Sequence, residues 1–132
     1  MKFNSQICTT RSQSERLLAL GLKKETADCR ICPLIVNPNQ YLIMDMGIQP
    51  LDKDETPAWS LLRLMCLCPT DIDRHKYAFY ESHDYVYYLD IITGYNDDKP
   101  VGVFKDNPFD SLIDCIEWLI GKGYFNKEYL KE

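Results

Sequence analysis

The sequence predicts an α+β fold: an antiparallel sheet of about five strands, a hairpin plus a three-strand meander, with three main helices packed mainly on one face. Three observations carry this. The segment Asn107–Gly123 has every signal of a complete helix. Asn37-Pro38-Asn39-Gln40 is a turn between two extended runs. The aromatic-rich runs that follow are joined by short connections, which favour antiparallel neighbours.

The first helix is expected from Ser12 to Leu22, with Ser12 or Ser14 as cap and Leu17, Leu18 and Leu20 opening an apolar stripe. Gly21 is expected to end it, and Thr26–Cys29 to add one turn. Arg30–Val36 and Tyr41–Met46 then read as a hairpin. Pro33 cannot donate a ladder hydrogen bond, so its strand should lie at an edge or be interrupted there. Gly47–Thr56 reads as a polar connection. The second helix lies between Pro57 and Cys68 and is stopped by Pro69. Thr56 or Ser60 can cap it; Ser60 is favoured because Trp59 can then staple onto Leu64.

The meander is expected at His75–Glu81, Tyr85–Ile92 and Val101–Lys105. In the last helix Asn107 caps, Pro108 suits the first position, and Asp110 complements the positive end of the helix dipole. Gly121 or Gly123 can take the left-handed stop. Residues 1–132 are expected to form a single domain, with a frayed tail at 126–132.

Composition bounds function. The chain has 132 residues, 45% hydrophobic and 27% charged, with a formal net charge of -5. That charge weighs against phosphate-backbone binding, which needs clustered Lys and Arg. The nine tyrosines concentrate in the expected meander, yet Arg74, His75 and Lys76 are the local basic cluster, so aromatic cross-strand packing is the better reading than a stacking platform. No apolar run approaches the roughly 20 residues of a membrane span. The first residues lack the apolar stretch of a secretory signal, and a cytoplasmic protein with reduced thiols is expected.

The blocks Thr56-Pro57-Ala58-Trp59-Ser60-Leu61-Leu62-Arg63-Leu64, Ser14–Leu22 with Glu25-Thr26-Ala27-Asp28, and Trp118-Leu119-Ile120 through Tyr124 carry a resemblance. Together they resemble a group of small uncharacterised proteins of gut anaerobes, a domain of unknown function often encoded on prophages and other mobile elements. The resemblance implies a small intracellular accessory protein. It implies no activity, cofactor or catalytic residue.

Two chemical constellations remain. Cys29-Arg-Ile-Cys32 has finger-like spacing, and Cys66 and Cys68 could complete a tetrahedral structural zinc site. Residues two apart on a helix point about 200° apart, so Cys66 and Cys68 could share a metal only if the helix ends between them. The competing reading is that these are small buried apolar side chains. A cysteine nucleophile would need His75 or His83 as base, and the spacing assembles no such site. On the last helix, Phe109, Leu112, Ile113, Ile116, Leu119 and Ile120 form one stripe, while Trp118 projects to the other side with Ser111 and Asp114. Either another element of this chain, an N-terminal helix or the tail, covers Trp118, or Trp118 is a contact residue for self-association or a partner. The expected function is a non-enzymatic protein-interaction module, acting on a protein partner or on itself; a structural zinc protein is the alternative.

Overall fold

The computed structural model describes residues 6–37, 39–72, 77–81, 86–90 and 107–132. They fall into two compact units, Met1–Arg63 with Lys131–Glu132, and Leu64–Leu130. Both are α+β.

In the first unit, helix α1 spans Arg11–Ala19. Its cap is Thr10, a correction to the expected Ser12 or Ser14. The reason is a reciprocal capping box: Gln13 N–H donates to Thr10 Oγ1 (3.2 Å), and Thr10 N–H donates to Gln13 Oε1 (3.0 Å). Gly21 ends the helix with φ 104°. Gly21 N–H donates to Leu18 O and Leu22 N–H to Leu17 O, the paired closure that a left-handed residue permits. The turn expected at Thr26–Cys29 forms earlier, as a 3-10 turn at Lys24–Thr26, because Cys29 already belongs to a strand.

Strands β1 (Cys29–Pro33), β2 (Tyr41–Asp45) and β3 (Thr56–Ala58) form an antiparallel sheet in the order β2-β1-β3. The hairpin forms as expected, with Ile31 opposite Ile43. β1 is central, not an edge, and it stops at Pro33. The last β3 pair is Ile31 with Thr56, so Pro33 lies past β3, where its missing N–H breaks no ladder bond. α1 packs beside β3. Leu17, Leu22, Ala58 and Trp59 are fully buried, and Cys8, Cys29, Ile31 and Ala58 form one apolar cluster.

Helix α2 (Leu61–Leu67) starts where the sequence favours: Ser60 Oγ accepts the Arg63 N–H at 3.1 Å. In the second unit, β4 (Asp71–Ile72), β5 (Tyr77–Glu81) and β6 (Val86–Asp90) form another antiparallel sheet, with Phe79 opposite Tyr88. The expected single sheet of about five strands is thus corrected to two three-stranded sheets among the described residues. Thr56–Ala58 and Asp71–Ile72 are too short to show a period, yet each completes one of the sheets. The expected strand Val101–Lys105, along with His75 and His83, lies outside the described residues.

Helix α3 (Pro108–Lys122) is capped by Asn107 Oδ1, which accepts the Phe109 N–H at 2.8 Å. Phe109, Leu112, Ile113, Ile116 and Leu119 are buried, as the stripe predicts, while Ile120 is half-buried; Ser111, expected on the opposite side with Trp118, is buried too, as is Cys115. Gly123 stops the helix at φ 78°. Asn126 then caps a 3-10 turn at Lys127–Tyr129 within the tail.

Candidate functional site

The hairpin of β1 and β2 presents an apolar sheet edge that is open among the described residues. Leu34 N–H donates to Gln40 O (2.9 Å) and Met46 N–H to Asp28 O (3.0 Å). Antiparallel pairs exchange hydrogen bonds at every second position. Leu42 and Met44 therefore turn their backbone groups toward β1, while Tyr41, Ile43 and Asp45 turn theirs outward. Nothing among the described residues pairs with that outer edge.

The side chains there are apolar on both faces. Ile35 is 100% exposed and Val36 92%; Tyr41, Leu42 and Met44 are each more than half exposed (56%, 54% and 52%). Native edges are usually blunted by Lys, Pro or a bulge. Tyr41–Asp45 carries no Lys or Pro, pairs residue for residue with β1, and has one charge, at Asp45. The opposite edge, β3, differs: Pro57 interrupts it, and Pro57 and Ala58 are buried.

Two buried polar networks hold this sheet in place. On β1, Arg30 is buried and captures the segment that follows β2. Its Nη1 donates to Glu55 Oε1 (3.0 Å) and Pro50 O (3.3 Å), and its Nη2 to the carbonyls of Met46 and Gln49. Glu55 also accepts from the Cys32 thiol (2.8 Å) and the Asp52 amide (2.8 Å). The Cys32 hydrogen bond, with those of Asp52 and Arg30, holds the Glu55 carboxyl below its ordinary value.

The second network lies at the β3–α2 junction. Asp28 accepts the Ser60 amide (2.8 Å) and hydroxyl (2.5 Å), and Arg63 Nε donates to Thr26 O (2.7 Å). The Trp59 indole N–H donates to Thr26 Oγ1 (3.0 Å), while its amide donates to Thr9 Oγ1 (3.0 Å), which also bonds Ser14 Oγ (2.7 Å). The residues that carry the sequence resemblance here, Ser14, Thr26, Asp28, Trp59 and Ser60, meet in this network. Their role is to join α1, β3 and α2.

Cys8, Cys29, Cys68 and Cys115 are buried and Cys32 is half-buried. Burial, with the Asp28 charge second, pushes Cys29 up to about 12 and also raises Cys8. Burial and the hydrogen bond to Glu55 push Cys32 up to about 11. A thiol hydrogen bond with Cys68 holds Cys115 high, with burial adding to it. Cys66 is exposed. Among the described residues, no three His, Cys, Asp or Glu side chains are grouped as a metal ion requires.

Trp118 is half-buried, its ring centroid 5.8 Å from that of Tyr124. Tyr124 N–H donates to Leu119 O (2.9 Å) and Gly123 N–H to Ile120 O (3.1 Å). The Trp118–Tyr124 contact is the apolar clasp that accompanies such a helix stop. The hairpin surface was missed by sequence reasoning because a continuous apolar strand reads the same whether buried or exposed. The absence of alternation in Tyr41–Met44 is the signal that could have raised it. No protein family, no curated protein and no solved structure matches the chain.

Proposed function

We propose that this chain is a non-enzymatic protein-interaction module acting in the cytoplasm, and that its contact surface is the hairpin of β1 and β2. The observation that carries this is the outer edge of β2, with which no described residue pairs, flanked by exposed Ile35, Val36, Leu42 and Met44. Contiguous exposed apolar surface of this kind marks contact sites, and an unpaired strand edge adds backbone hydrogen bonds to them. The role of accessory protein of a prophage or mobile element rests on the sequence resemblance.

A photo-crosslinking residue at Leu42 tests this in the cell of origin, with one at exposed Glu15 as control. The expected result is a discrete adduct from position 42, lost when Ile35 and Val36 are both changed to Ser. Equal labelling from the two positions, or an adduct indifferent to the serine changes, would overturn the proposal.

A further inference from the structure

We infer that the occupant of the β2 edge is a second copy of this chain, paired antiparallel about a two-fold axis at Ile43. This rests on the hairpin being the contact surface and names its partner.

The edge is self-complementary. The outward residues Tyr41, Ile43 and Asp45 are spaced evenly about Ile43. An axis there places Ile43 opposite itself, Tyr41 opposite Asp45, and Leu42 opposite Met44. All three outward residues then exchange both backbone bonds with the second copy, roughly six ladder hydrogen bonds in all. The two sheets become one continuous sheet, and the contact is isologous and closed, so it gives a dimer and not a fibre.

Charge does not oppose it. The only charged residue of the strand is Asp45, and the axis sets the two Asp45 at opposite ends of the seam. Four residues at about 3.4 Å each separate them by roughly 14 Å, beyond the screening length of ~8 Å at physiological salt. Each Asp45 faces a tyrosine.

The exposed apolar side chains of the strand also find cover. Pairing sets Leu42 of each copy beside Met44 of the other, so side chains 54% and 52% exposed in one copy pack against each other across the seam.

The test is sedimentation equilibrium of the purified, reduced full chain across micromolar to near-millimolar concentration, with two variants. The wild type is expected to dimerise. Ile43→Lys sets two ammonium groups against each other on the axis and is expected to weaken the dimer at least ~100-fold. Ile43→Cys, in a Cys66→Ser background, is expected to form an intermolecular disulfide with oxidised glutathione, because facing hydrogen-bonded residues lie ~5.5 Å apart at Cα. Leu42→Cys in the same background should not. If Ile43→Lys fails to fold by circular dichroism, the cysteine pair decides. A wild type monomeric throughout, a dimer indifferent to Ile43→Lys, or equal cross-linking from positions 42 and 43 would overturn the two-fold pairing. A monomeric wild type would still leave the hairpin as a surface for another protein, which the Leu42 photo-crosslinking judges separately.

Discussion

Replacing Arg30 by Met should release the segment from Met46 to Glu55 while leaving the β1–β2 hairpin formed. The guanidinium donates to Glu55 and to the carbonyls of Met46, Gln49 and Pro50. A hydrogen bond to a charged group is worth about 1.5–3 kcal/mol net. Simple addition overstates the loss, since freed carbonyls regain water and Arg30 Nε is buried without a partner among the described residues. Removing one partner of a buried ion pair costs ~3–5 kcal/mol. Glu55 is slightly more exposed than Arg30, 14% against 7% at the side chain, so the lower end applies. The expected loss is about 3 kcal/mol, or roughly 10 °C in Tm for a chain of this size. Urea unfolding followed by Trp59 fluorescence, in a Trp118→Phe background for both proteins, reads the unit concerned. A loss below ~1 kcal/mol, with amide exchange from Gln49 to Glu55 unchanged, would refute the role given to Arg30.

Three further outcomes are expected. Because the folded state lowers the Glu55 pKa, its contribution to stability is complete above the unfolded value of about 4.3 and is lost as pH falls through the folded one; an acid titration of Glu55→Gln should lack that part of the wild-type decline. Native labelling with a thiol reagent at pH 8 should modify Cys66 quickly and Cys8, Cys29, Cys68 and Cys115 only after unfolding, as read by intact mass; rapid native labelling of Cys29 would contradict its burial. Gly123→Ala should cost about 1 kcal/mol through backbone strain alone, since φ is 78° and an added Cβ meets nothing within 4 Å; an unchanged denaturation midpoint would contradict the left-handed stop.

Local signals in the sequence translated well where a few adjacent residues do the whole job. Asn107, Pro108 and Gly123 bound α3 as expected, and Ser60 caps α2. The start of α1 moved to Thr10 because Gln13, not a second hydroxyl, completes the box. Long-range partners were not legible. Arg30 looks like one polar residue in a strand, and its acceptors lie 16 to 25 positions away. Trp59 reads locally as a staple at the start of α2, and nothing nearby in the sequence points to Thr26, 33 positions earlier, as the acceptor of its indole N–H. The open edge of β2 depends on which strand sits where. The three-residue β3 decides that by pairing with β1 on the side opposite β2, which no periodicity records.

Residue-resolved amide exchange along β2, in dilute and concentrated solution, tests the open edge most directly. In dilute solution Leu42 and Met44, bonded to β1, should be protected, and Tyr41, Ile43 and Asp45 should exchange freely. Concentrating the protein should protect those three and change Leu42 and Met44 little. Protection of Tyr41, Ile43 and Asp45 already in dilute solution would mean that the chain covers this edge itself. Free exchange at every concentration would mean that a second copy does not.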